Sequence, residues 1–404
     1  MSAQAAVFFD PSEARRWIER ELDAERMFGC GLEVVIQGHS VYREAFGSRS
    51  PKGGDPMTED TRFWIASMTK PVVSVAALHL IEHDELSLED PVSTFVPGFG
   101  DAGVLTRTGD LEPVDRPPTV LDLFTHLAGT TYGQFGSDEI HKRYAEADVY
   151  NFSSNNAEMA ARLAALPLLH QPGMVFEYGM STDLLGRVIE VVTGQSLDSV
   201  LQDAVLGPLG MSSTSFVADQ DRLAELPPSA IQANVAPDFA RLPSWHSGGA
   251  GLFSTVPDYI QFARMLRGRG TLGDVQILKP ETLDLMCRQH LPPGVGYGDY
   301  TGELGIAAPW PENGLSFGLG VAVRVREHES IPGRLGEVFW PGVSGCNFWV
   351  DPKNDLIVVF LTHAPLHRTT HRIDLRDAIY SGMRDERVQP RAPPTTSASD
   401  VSIQ

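Results

Sequence analysis

The chain has 404 residues, 42% of them hydrophobic and 21% charged, which is enough to bury a substantial core as two or three domain-sized units or as one two-lobed enzyme. Its 32 basic residues stand against 52 acidic ones, and the formal charge of −20 repels polyanions, so nucleic acid and anionic membrane surfaces are poor partners. The longest apolar runs, such as residues 356–361, fall short of the ~20 residues a membrane-spanning helix needs. No basic-then-apolar leader is visible in residues 1–10, and a cytoplasmic location is the expectation.

In chain order, residues 11–27 form an amphipathic helical pattern, with Ala14, Trp17, Ile18 and Leu22 at near-helical spacing. Two β-rich runs follow, 32–37 and 40–45, and the short Gly38-His39 spacing between them suits a hairpin. From Ser67 to about residue 225 the pattern turns helical, most clearly in 72–82, 120–127, 156–166 and 182–192. Strand signals return in 317–326, 337–340, 346–350 and 356–362, ahead of a closing helix at 373–384. Strands at both ends and helices between them imply an α/β lobe of residues 1–66 and 230–387, a mainly helical lobe of 67–229, and a cleft at their junction. Residues 388–404, rich in Pro, Ser and Thr, are expected to be a disordered tail. Cys30, Cys287 and Cys346 are odd in number and far apart, which argues against a disulfide framework and for ordinary buried thiols.

Ser67-Met68-Thr69-Lys70 sets a hydroxyl and an amine three positions apart, on one face of a helix. Pro71 is tolerated only in a first turn, so that helix should start close to Ser67. A serine hydroxyl becomes nucleophilic when a base takes its proton, and a lysine is that base once apolar burial lowers its pKa. Phe63, Trp64, Ile65 and Met68 supply apolar neighbours.

Residues 63–99, FWIASMTKPVVSVAALHLIEHDELSLEDPVSTFVPGF, resemble the nucleophile region of the serine β-lactamase and penicillin-binding protein superfamily. They are most similar to the class C β-lactamase-like branch that includes the family VIII carboxylesterases. TVLDLFTHLAG (119–129) and HSGGAGLFSTVPDYIQFARML (246–266) are similar to further segments in the same order, and the resemblance spans roughly residues 15–385. It implies an α/β fold of the β-lactamase/DD-peptidase kind, an antiparallel sheet flanked by helices plus a mostly helical lobe. It also implies a third catalytic residue, Tyr178, either passing a proton or acting as base beside Lys70. Met180 stands where the lactamases have an asparagine, and Trp340-Pro341-Gly342-Val343 stands where they carry a strand lysine. Loss of that cation removes the direct partner of a β-lactam carboxylate and costs a neutral ester nothing. By the same resemblance the backbone N–H groups of Ser67 and Val343 form an oxyanion hole, Gly342 permits close backbone approach, and Met180 and Trp340 belong to the site rim.

The expected activity is hydrolysis of a small-molecule ester with a short or apolar acyl group, through an acyl-enzyme on Ser67 and with no cofactor. Acyl transfer and cleavage of β-lactams or D-amino acid amides use the same chemistry, and a silent binding protein could retain the fold without it. A homo-oligomer is compatible with the sequence. His79-Leu80-Ile81-Glu82-His83 matches an H-x-x-E-H zinc-peptidase pattern, but no third ligand is marked nearby and no metal site is expected. His363, His367 and His371 are evenly spaced, yet Pro365 interrupts any shared helix face, and they are expected on the surface or in loops. A G-x-S-x-G elbow and a phosphate-binding glycine loop are both absent from the sequence.

Overall fold

The computed structural model describes residues 7–106, 108–228 and 245–385. The expected 388–404 tail and the segment from 230 to 244 lie outside them. The first helix, α1 (Ser12–Asp23), buries Ala14, Trp17 and Ile18 along one face. The hairpin β1 (Gly29–Ile36) and β2 (His39–Gly47) turns at Gln37 and Gly38, one residue earlier than the spacing suggested. Both turn residues have positive φ (51° and 79°), as a twisted two-residue hairpin requires.

The remaining strands of the large sheet come late: β3 (Leu315–Phe317), β4 (Ala322–Arg324), β5 (Val338–Phe339), β6 (Asn347–Asp351) and β7 (Leu356–Thr362). They join the hairpin in one antiparallel seven-stranded sheet of order β3-β4-β5-β6-β7-β1-β2. The single strand expected over 317–326 is a hairpin instead. Gly318 N–H bonds to Val321 O across a turn, and Gly320 (φ 87°) adopts a conformation closed to residues with a side chain.

Helices cover both faces of this sheet. Trp17 of α1 packs edge-on against Phe360 and against His371, which lies on the closing helix α6 (Arg368–Gly382). Phe348, which pairs with Val359, instead meets Tyr259 of α5 (Val256–Arg267). Residues 359 and 360 point to opposite sides of a strand, so α1 with α6 and α5 occupy opposite faces. His371, on α6, is therefore buried instead of at the surface or in a loop, and His363 lies in the loop directly after β7, as expected, but is buried there.

The helical lobe is built around α2 (Thr69–Glu82), apolar almost all round and buried from Thr69 to Leu78. It packs against α4 (Ser181–Thr193), which in turn contacts α3 (Val120–Thr125). A capping box fixes the start of α3: Thr119 Oγ1 accepts from Asp122 N while the Asp122 carboxylate accepts from Thr119 N. Among the described residues no helix is long and apolar enough to cross a membrane.

Candidate active site

Phe63–Trp64 forms a short strand paired with Phe253–Ser254, and the chain then turns sharply. Ala66 takes φ 47°, and a 3-10 turn over Ala66–Met68 precedes α2. The helix thus begins two residues after Ser67, close to it as Pro71 requires. Pro71 still lies in the first helical turn, where its missing N–H has no partner to lose. Left-handed backbone at a residue with a side chain is strained, and here it lifts Ser67 to the wall of a cavity of about 750 Å³.

Lys70, fully buried, reaches back one turn. Its Nζ lies 3.3 Å from Ser67 Oγ, 3.2 Å from Tyr132 Oη and 2.9 Å from Gly249 O. These three oxygens match the three N–H donors of an ammonium. Tyr178 comes from the segment preceding α4, and its Oη is 2.7 Å from Ser67 Oγ. The Lys70 nitrogen stands 4.7 Å from the Tyr178 ring centroid. Trp340 Nε1 donates to Tyr178 Oη at 3.3 Å. Ser67, Lys70, Tyr178 and Trp340 therefore meet at one point.

Val343 also lines the cavity, and among the described residues no backbone carbonyl accepts from its N–H or from that of Ser67. Gly342 stays behind the wall. A Cβ there would sit 2.4 Å from Ile65 O, so glycine lets the Pro341–Val343 turn close against the segment that carries Ser67. Met180 does not reach the cavity: it is completely buried at the start of α4 and packs in the helical core, which removes it from the expected rim.

Several groups were given no role by the motif reading. Asp183, on the first turn of α4, accepts from Ser247 Oγ and from Gly249 N at 2.9 Å, and its second oxygen lies 3.4 Å from Tyr132 Oη. Burial pushes its carboxyl up, with the Lys70 charge and the hydrogen bonds pulling the other way. Burial, then the Asp183 charge, holds the Tyr132 phenol well above its ordinary value, so it stays protonated between Lys70 and Asp183. His126, in left-handed backbone at the end of α3, packs with its ring tilted 52° to that of Tyr178, centroids 4.8 Å apart. Burial first, and the Lys70 charge second, keep its imidazole neutral. Arg368 and Arg372 of α6 also line the cavity, with aromatic residues that include Tyr150, Phe152 and Tyr300.

The zinc pattern finds no site. His79 Nδ1 pairs with Ile277 O (3.2 Å), His83 Nδ1 with His79 O (2.7 Å), and Glu82 accepts from Lys279 N (2.6 Å). Among the described residues no cluster of three metal-ligating side chains occurs. Cys30 and Cys346 are buried thiols, while Cys287 is half-buried.

This fold and this convergence of Ser67, Lys70 and Tyr178 define a serine hydrolase of the β-lactamase and penicillin-binding protein superfamily. Residues 14–379 match the Beta-lactamase family, and the chain belongs to it. It is 30% identical to esterase EstB of Burkholderia gladioli over 392 residues, 90% of this chain and 93% of EstB. It is 32% identical to the lovastatin esterase of Penicillium rubens over 356 residues, 82% of this chain and 87% of that one. Among solved structures, EstCE1, "a hydrolase with promiscuous acyltransferase activity", is similar at TM-score 0.75 and 26% identity, covering 91% of this chain and 98% of EstCE1.

Proposed function

We propose that this protein is a carboxylesterase that cleaves esters of apolar acyl groups through an acyl-enzyme on Ser67. The observation that carries the reading is the position of Ser67 Oγ, 2.7 Å from Tyr178 Oη and 3.3 Å from Lys70 Nζ on the wall of an aromatic-lined cavity. Tyr178 and Lys70 act as one base, in a working state that holds one proton fewer than phenol plus ammonium. Ser67 Oγ attacks the ester carbonyl and its proton passes to the pair, Tyr178 receiving it with Lys70 stabilising the charge. The carbonyl oxygen, now anionic, is held by the Ser67 and Val343 N–H groups. On collapse the C–O bond to the alcohol breaks, the pair returns its proton to the leaving alkoxide, and water repeats the sequence on the acyl-enzyme to release the acid. Similarity to two esterases over most of each chain supports the reading.

Transfer of the acyl group to an alcohol in place of water is the second reading. Its support is the likeness to EstCE1 and 26% identity to the acyltransferase calJ of Penicillium decumbens over 353 residues. Intact-protein mass spectrometry after brief exposure to a small fluorophosphonate tests the nucleophile. One adduct on the wild type that disappears in Ser67→Ala is expected, and an adduct that survives the substitution removes Ser67 from the role.

A further inference from the structure

The fold handles its buried arginines in two different ways. Arg324 and Arg376, with no exposed side-chain surface, are both paired with Glu337. Arg372 is 95% buried on the cavity wall and forms no ion pair among the described residues. Its Nη2 donates to Gly342 O at 2.9 Å, while its Nε is buried without an acceptor. One helical turn earlier, on the same face of α6, Arg368 lines the same cavity, with Nη1 on Pro365 O at 2.7 Å and again no carboxylate partner among the described residues. Burial, then the neighbouring Arg368 charge, brings the Arg372 guanidinium down to about 9. The cavity is also lined by Asp148 and Glu303, but among the described residues neither carboxylate pairs with these guanidiniums; two adjacent guanidiniums without a paired anion are costly to maintain, and the arrival of a carboxylate relieves that cost.

We infer that the substrate carries a carboxylate, which docks on Arg368 and Arg372 while the ester carbonyl sits at Ser67. The inference rests on the esterase reading and adds the substrate's far end: an apolar spacer along the aromatic wall, terminated by an anion. It also revises what the loss of the strand lysine at Trp340 implied, because α6 restores positive charge from a different direction. The rest of the protein is strongly acidic, so the attraction is local to this wall.

The test compares the p-nitrophenyl ester of monomethyl adipate, which is neutral, with that of adipic acid, which bears a free carboxylate. A second pair, butyryl esters of 4-hydroxybenzoate and of its methyl ester, places the anion on the leaving group. Wild-type kcat/KM should favour the anionic member of at least one pair by tenfold or more, and that ratio should fall at least tenfold in Arg368→Gln, which leaves the Arg372–Gly342 bond in place. A wild-type ratio at or below one in both pairs overturns the inference. Calorimetric binding of adipate, dimethyl adipate and butyl phosphate to Ser67→Ala gives a readout independent of turnover. Binding of adipate over its diester, lost in Arg368→Gln, upholds the anion site even if no ester is hydrolysed, in which case only the esterase reading fails. No preference for adipate over its diester, or tighter binding of butyl phosphate than of adipate, overturns the carboxylate assignment.

Discussion

The indole nitrogen of Trp340 donates to the Tyr178 hydroxyl at 3.3 Å, and that hydroxyl lies 2.7 Å from the Ser67 oxygen. A neutral donor thus stands where lactamase-like relatives are expected to carry a cation, and it stabilises any negative charge that forms on Tyr178. Removing one hydrogen bond to a charged group costs about 1.5–3 kcal/mol, roughly ten- to a hundredfold in rate. Trp340→Phe keeps the ring packed against Tyr178 and Phe317 and should lower kcat by that factor with KM little changed. Steady-state kinetics on a neutral ester checks it, and an unchanged kcat would remove Trp340 from the proton pathway.

Asp183 holds the Lys70 surroundings from two sides, through Tyr132 and through the Gly249 backbone whose carbonyl accepts from Lys70. Asp183→Asn preserves the shape and the acceptor for Gly249 N–H but removes a buried negative charge near the ammonium. We expect kcat/KM to fall at least tenfold, with a displaced acid limb in its pH profile and a melting temperature within a few degrees of wild type. A purely structural Asp183 would change the melting temperature and leave the pH profile in place.

How much of this was legible beforehand follows from sequence distance. Ser67 and Lys70 lie three residues apart, so local helical geometry brings them into view. Tyr178 is 111 residues from Ser67, and only the resemblance to a family placed it in the site. Tyr132, Arg368 and Arg372 belong to no motif, and Asp183, which follows Tyr178 closely in the second motif, was given no role there, although an acidic residue on the buried face of α4, beside Leu184 and Leu185, was a signal within reach. The arginine pair has the spacing of any solvated helix face, and what distinguishes it is burial against a turn some thirty residues away, which periodicity does not carry. Met180 failed for the opposite reason: its position in the motif suggested the cavity, but the start of α4 turns its side chain into the core. The sheet was legible as strands, yet the 317–326 run concealed a hairpin because its glycines permit either reading until Gly320 is seen with positive φ.

Glu337 is completely buried and accepts from Arg376 Nη1 at 2.9 Å, from Arg324 Nη2 at 3.4 Å and from Tyr380 Oη at 3.2 Å. Removing one partner of a buried ionic group leaves the others uncompensated, at a cost of about 3–5 kcal/mol. Glu337→Ala should therefore lower the urea-unfolding free energy by about that amount, because two guanidiniums are stranded between the sheet and α6. A loss below about 1 kcal/mol would mean that the arginines find other acceptors.

His363 links acidity to the nucleophile's support. Its Nε2 accepts from the backbone N–H of Trp64 at 3.1 Å, three residues ahead of Ser67, and its Nδ1–H donates to Glu225 O at 3.2 Å. Only the neutral imidazole can do both, and burial lowers its pKa from 6.5 to about 4. The unfolded chain therefore takes up this proton first as the pH falls. The stabilising contribution is complete above about pH 6.5, declines between 6.5 and 4, and is gone once both states are protonated below that. A difference of this size corresponds to about 3 kcal/mol, most of it lost by pH 4.5. Urea unfolding of wild type and His363→Gln at pH 7.5 and 4.5 isolates the term, because the carboxylates titrate alike in both proteins. The wild type should lose about 2–3 kcal/mol more than the variant over that interval. Equal losses would show that the ring takes up its proton at the same pH in the folded and the unfolded chain, and that burial does not hold it neutral.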